Sequence, residues 1–201
     1  MSSPKNILLP STRRQKRVAD VLGRRLPGLT VVLENIHDPH NVSAILRSCD
    51  AVGVVGVELL YTTEKFPRIG KKSSSSASKW VDRRKHSSVD ACFTTLRAEG
   101  YRILATRVTA GSRTVFDEDL SGPVAFVLGN EHRGVSDEAL RLADAAVQIP
   151  MQGMIESLNV SVATAVLLYE TLRQRMVRGP LPVPALPPAD YDRLLQDWLH
   201  R

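Results

Sequence analysis

Five polar residues, in three segments that lie within or beside apolar runs, are candidates for chemistry. Asn41 and Arg47 lie in "DPHNVSAILRSCDAVG" (38–53), Glu131 in "GNEHRGVS" (129–136), and Ser157 and Asn159 in "IPMQGMIESLNVSVATAVLLYE" (149–170). On a helical wheel Val42, Ile45, Leu46 and Cys49 form a core face. Ala44, Ser48 and Ala51 form a face of small residues that begins at Asn41. Arg47 projects away from the core, beside a face that permits close approach of another backbone. An arginine there is either an ordinary exposed residue or part of a packed interface. Gly129 and Gly134 with Ser136 describe a turn and a helix cap, which leaves Glu131 without a structural duty. Ser157 reads equally as the cap of the apolar helix that follows, from about Ser157 to Arg175, or as a contact. Asn159, placed in the first turn of that helix, is a poor helix residue with no capping duty, and buried polar groups need partners. It therefore argues for a ligand or a specific network.

Other chemistry is poorly supported. There is no GxGxxG and no GxSxG, and "GKKS" (70–73) lacks the strand–loop–helix frame of a phosphate loop. His37 and His40 have no further His or Cys ligand beside them, so no metal site is expected. Cys49 and Cys92 form no disulfide framework and read as buried, reduced thiols of a cytoplasmic protein. The N-terminal segment has no apolar core of the signal-peptide kind, and no run approaches the roughly 20 apolar residues of a membrane span.

Elements that could position the five residues follow from periodicity and punctuation. Ser11 caps a basic helix over 11–25; Asp38 caps a helix with Pro39 at its first position and Gly53 at its end. Ser88 caps a helix ending at Gly100, and Ser136 caps one with two acids in its first turn. Strands are expected at 30–34, 56–62, 101–106, 124–129 and 146–150. The stretch 64–79 reads as an irregular, mobile, basic and Ser-rich loop. Residues 179–188 read as a proline-rich linker, and 189–201 as an amphipathic helix too short to stand alone, which must dock on the body or on a second subunit. Apolar strands alternating with helices predict an α/β fold whose mostly parallel sheet is covered by helices on both faces. Ligands of such sheets sit at the carboxyl ends of the strands. Four of those ends are polar here ("ENIHDPHN", "ATR", "LGNEHRG" and "PMQGMIESLN"), and together they would form one site.

Charge adds a partner. The net charge is +6, and it is segregated. Residues 1–30 carry seven Lys/Arg and one Asp, and residues 61–90 carry eight Lys/Arg against three acids. The stretch 107–147 carries four Arg against seven acids. Clustering of this kind suits a polyanion such as nucleic acid better than a membrane surface.

The three polar segments, "NVSAILRSCDAVGV", "LGNEHRGVS" and "IPMQGMIESLNVSVATAVLLYE", resemble in order and spacing the three motifs of the SpoU/TrmH group of RNA ribose 2'-O-methyltransferases in the SPOUT superfamily. The segments "RRQKRVADVLGRRLPGLTVVLENIHDPHN", "SKWV" and "YDRLLQDWL" resemble the branch that acts on guanosine-18 of tRNA, and the similarity spans about residues 11–198. The resemblance implies a C-terminal trefoil-knot SPOUT fold over 28–175. It leaves a basic N-terminal helical extension (1–27) and a linker with a C-terminal helix (176–201). It implies S-adenosyl-L-methionine held by backbone groups around Thr106, Leu128, Gly129, Ile149, Met151 and Leu158, and a homodimer with the site at its interface. Arg47, Asn41, Glu131, Ser157 and Asn159 become the catalytic set. Arg47 would stabilise the developing alkoxide, because its pKa makes it a reluctant base. Arg13, Arg14, Arg17, Lys71, Lys72, Arg83 and Arg84 would hold tRNA. Ribosomal RNA as substrate, or RNA binding without catalysis, are the alternatives within the same fold.

Overall fold

The computed structural model describes residues 11–69 and 77–201. Its elements in chain order begin with α1 (Thr12–Leu22), β1 (Leu29–Glu34), α2 (Pro39–Val52), β2 (Gly56–Leu60), β3 (Asp82–His86), α3 (Val89–Ala98) and β4 (Arg102–Thr106). They continue with β5 (Arg113–Thr114), β6 (Val124–Leu128), α4 (Asp137–Leu142), β7 (Ala145–Gln148), α5 (Val160–Val177) and α6 (Pro188–His200). The chain divides into two units, one of Met1–Arg25 with Pro182–Arg201 and one of Leu26–Leu181.

In the larger unit the strands form one sheet in the order β3-β2-β1-β6-β4-β7-β5, and the strand pairs are parallel. All six residues of β1 and all five of β6 are buried, as continuous apolar runs in the middle of a covered sheet must be. On one face Val31, Leu33, Leu104, Phe126 and Leu128 pack with Val42, Ile45, Leu46 and Cys49 of α2 and Leu167 and Leu168 of α5. On the other, Val32, Ile103, Ala105, Ala125 and Val127 pack with Cys92, Phe93 and Leu96 of α3 and Ala139 of α4. Both cysteines are free and buried, and burial is the main cause that pushes the Cys92 thiol up to about 12. Among the described residues no helix is long and apolar enough to cross a membrane.

The expected caps form. Ser11, Asp38, Ser88 and Ser136 each accept a hydrogen bond from a backbone N–H of the first turn, and Pro39 opens α2. Gly53 ends α2 in the left-handed region, φ 94°, a conformation that costs glycine nothing.

Several expectations are corrected. The segment 82–86, "DRRKH", is a strand that its charge conceals. Arg84 and His86 of β3 bond the buried Glu58 of β2, so a strand with no apolar pattern is held by a paired carboxylate. The short β5 also lacks a sequence signal. Helix α5 starts at Val160, not near Ser157, and Asn159 is its N-cap, accepting from the Ser161 N–H at 2.8 Å. Ser157 is exposed in the turn before it. Nor is α5 buried on all sides of its own chain, since Val162, Tyr169 and Met176 are about half exposed. Of the loop expected at 64–79, residues 70–76 lie outside the described residues.

In the smaller unit the two terminal helices pack on each other. The Tyr191 hydroxyl donates to the Ala19 carbonyl, and the Arg25 guanidinium lies 4.7 Å from the centre of the Trp198 ring. Arg25 and Trp198 are both almost fully buried, so this cation–π contact is desolvated and strengthened. The N- and C-terminal extensions are thus one unit, and the partner of the C-terminal helix is α1.

Candidate active site

Strands β1, β6, β4 and β7 are consecutive in the sheet, so their four polar carboxyl ends lie along one edge, as the sequence predicts. A cavity of about 420 Å³ opens there. Thr106, Leu128, Gly129, Ile149, Met151 and Leu158 all line it, and so do Glu131, Ser157 and Asn159. The size suits a small organic ligand. The Thr106 hydroxyl donates to the Val127 carbonyl at 2.7 Å and ties the end of β4 to β6.

Glu131 is the hub of this edge. Its Oε1 accepts from the Asp38 N–H at 3.1 Å and from Asn41 Nδ2 at 2.9 Å, and its Oε2 accepts from the His37 N–H at 3.0 Å. Burial works to raise its pKa. The Asn41 amide and the backbone N–H groups of His37, Glu131 and Asp38 outweigh that and hold the carboxyl below the usual range. Helix α2 therefore begins against a carboxylate that satisfies two of its entry-loop N–H groups. Asn41 in turn uses its Oδ1 to accept from Asn159 Nδ2 at 3.0 Å. One chain of hydrogen bonds, Glu131–Asn41–Asn159, joins the ends of β1 and β6 to the start of α5. Asn159 thus has the capping duty that the sequence reading denied it, and the network that reading asked for.

Arg47 is not part of that chain. It is exposed on α2, six residues after Asn41, or about 9 Å farther along the helix axis. It does not line the cavity.

The SpoU rRNA Methylase family model matches residues 28–169. A tRNA (guanosine(18)-2'-O)-methyltransferase of Thermus thermophilus is 46% identical over 188 residues, 94% of this chain and 96% of the relative. The chain belongs to the SpoU rRNA Methylase family. Among solved structures, the A. aeolicus TrmH/SpoU tRNA modifying enzyme superposes with a TM-score of 0.87 at 36% identity, covering 94% of this chain and 95% of that one. The SpoU methyltransferase AviRb of Streptomyces viridochromogenes, in complex with the cofactor AdoMet, superposes with a TM-score of 0.66 at 30% identity. That match covers 77% of this chain and 62% of the other.

In this SpoU methylase the sequence reading missed three residues that build the site's edge. Asn35 follows β1 at φ 52°, and its Oδ1 accepts from the N–H groups of Thr62, Thr63 and Glu64. Asn130 donates from Nδ2 to the Asn35 carbonyl at 2.8 Å and accepts from His132 and Arg133 N–H. Glu34, at the end of an apolar strand and only 3% exposed, accepts from the Ser136 N–H at 2.9 Å. The available signal was a run of polar residues directly after a buried strand. Gly129 has a different need: a Cβ there would come within 2.0 Å of the Gly134 carbonyl carbon, so the two backbones cross where no side chain fits.

The basic residues of the SpoU methylase divide. Arg13, Arg14 and Arg17 are exposed on α1, and Arg83 is exposed on β3. Arg84 is held between Glu58 and Glu99, which raises its pKa further. Its charge is already paired. Lys71 and Lys72 lie outside the described residues.

Proposed function

We propose that this chain methylates the ribose 2'-hydroxyl of guanosine-18 in tRNA, using S-adenosyl-L-methionine, as a cytoplasmic homodimer. The observation that carries the reading is the cavity at the strand ends, lined by all six residues expected to hold the cofactor and flanked by the Glu131–Asn41–Asn159 chain. Its walls fit such a cofactor: apolar Leu128, Ile149 and Leu158 suit an adenine ring. The knotted path of 149–170 belongs to this reading.

The bound cofactor supplies a methyl group already made electrophilic by a sulfonium. The chain must align a hydroxyl with it and stabilise that hydroxyl as its proton leaves for solvent water. Glu131 is poorly suited to take the proton, because both its oxygens accept hydrogen bonds and its pKa is depressed. It is a positioning residue that fixes the start of α2. Asn41 and Asn159 orient each other and the substrate ribose, and exposed Ser157 at the cavity wall contacts the substrate. Arg47 carries a permanent positive charge and stabilises the alkoxide and the adjacent phosphate.

That Arg47 lies away from its own cavity supports a site completed at a subunit interface. So does α5, whose Val162, Tyr169 and Met176 are spaced seven residues apart and exposed on one face. Arg13, Arg14, Arg17 and Arg83 supply positive charge for the tRNA backbone. The test is methyl transfer from labelled cofactor to an unmodified tRNA transcript, followed by mapping of the modified ribose. Label on a base, or no label on tRNA, refutes the reading.

A further inference from the structure

A second cleft, of about 460 Å³, opens beside the cofactor cavity. The two share Arg107, Asn130 and Gly134, so they lie on either side of one turn. Glu34 lines the second cleft and is nearly inaccessible, yet only its Oε2 is engaged, by the Ser136 N–H. Its Oε1 has no hydrogen bond among the described residues. On a residue that is otherwise almost wholly covered, an oxygen open to the cleft offers an acceptor to an N–H donor.

Hydrogen bonds tie the walls around it together. Asn35 gathers the N–H groups of Thr62, Thr63 and Glu64, and Asn130 bonds the Asn35 carbonyl. Arg133 reaches across the cleft to Thr63 and Glu64, and Arg107 bonds the Val135 carbonyl and Asp137. Such a cleft, one turn away from a methyl donor, has the position needed for the base of the nucleotide whose ribose is methylated.

We infer that the cleft receives the unstacked target base, and that Glu34 selects guanine by accepting hydrogen bonds from its N1–H and 2-amino group. Guanine is the purine whose Watson–Crick edge presents two adjacent donors there. Adenine presents a bare N1 and would leave Glu34 facing an acceptor. Single-stranded RNA is commonly read in this way, with the base splayed out and its Watson–Crick edge bonded. Glu34 is then a specificity residue that takes no part in the transfer itself. The inference rests on the proposed function.

Two transcripts of one tRNA test it, carrying guanosine or inosine at position 18; inosine lacks only the 2-amino group. Wild-type kcat/KM should fall roughly 10-fold or more on the inosine transcript, because a site built around a hydrogen bond rejects an analogue that lacks it. Glu34→Gln keeps an oxygen for the Ser136 N–H and turns its amide NH2 toward the cleft. It should lose roughly 10- to 100-fold on guanosine-18, and the guanosine-to-inosine ratio should collapse toward one. Equal wild-type rates on the two transcripts would overturn the inference, even if Glu34→Gln failed to fold. So would an unchanged ratio in a folded Glu34→Gln that binds cofactor normally. Failure of the wild-type enzyme to methylate any tRNA is a different result and refutes the proposed function instead.

Discussion

Asn159 Nδ2 donates to Asn41 Oδ1 at 3.0 Å, joining two residues 118 positions apart. The same Asn159 accepts from the N–H and the hydroxyl of Ser161, so one side chain both starts α5 and sets the rotamer of Asn41. Asn41 is held from its other end by Glu131. With both ends of its amide engaged, Asn41 has one orientation, fixed before substrate arrives. Preorganised groups of this kind supply much of an enzyme's electrostatic advantage.

The two duties of Asn159 separate by substitution. Asn159→Ser keeps an N-cap oxygen but is too short to reach Asn41. Its unfolding free energy should stay within about 0.5 kcal/mol of wild type, while methyl transfer falls about 10-fold or more. Asn159→Ala should lose the activity and also about 1 kcal/mol of stability. Urea melts and single-turnover methylation read the two effects; equal loss of stability in both variants would contradict the division.

Arg47→Ala should lower methyl transfer about 100-fold, as removal of one preorganised donor does. Cofactor affinity should be unchanged, because Arg47 does not line the cavity. Stability should change by less than about 0.5 kcal/mol, because the side chain is exposed. Cofactor titration by calorimetry beside turnover checks all three, and near-normal turnover removes Arg47 from the chemistry.

Gly129→Ala should abolish cofactor binding. The new Cβ meets the Gly134 and Val135 backbone at 2.0 Å, which no rotamer relieves, so the turn carrying Glu131 must move. Gly153, with nothing within 4 Å of its would-be Cβ, is the control, and Gly153→Ala should bind cofactor normally.

Arg83 and Arg84 are neighbours with opposite fates. Arg83→Ala should weaken tRNA binding and reduce its salt slope by about one counterion. Arg84→Ala should chiefly destabilise the fold, by up to about 3 kcal/mol, because among the described residues buried Glu58 then keeps only its hydrogen bond with His86. Salt-dependent binding isotherms and thermal melts distinguish them.

Glu131 gives a pH dependence. Its folded pKa lies below the ordinary 4.5, so the unfolded chain takes up a proton first as pH falls. The stabilisation is complete above about pH 5 and is lost as pH drops through the folded pKa. Glu131→Gln should flatten that part of the stability-against-pH curve below pH 5 and leave the neutral region level.

Features that depend on near neighbours were legible in the amino-acid sequence alone. The caps Ser11, Asp38, Ser88 and Ser136 each bond a group within three positions, and punctuation in the chain reports such bonds. The buried strands were legible because a covered parallel sheet demands continuous apolar runs, and the topology of such sheets puts their carboxyl ends together. Similarity of three motifs supplied the chemistry, and the cavity gathered every residue expected around the cofactor.

The partners of the polar groups were set by the folded arrangement of distant segments. Periodicity cannot show that Glu58 makes a strand of "DRRKH", that Asn159 both caps α5 and reaches Asn41, or that α6 packs on α1. Nor can it show that Glu34 has one oxygen without a hydrogen bond among the described residues. These are contacts across tens to well over a hundred residues. Within the larger unit their partners are chosen by the sheet order, β3-β2-β1-β6-β4-β7-β5, which brings distant segments side by side. A hydrophobic pattern records which side of an element is buried, and leaves open which polar atom waits on the other side.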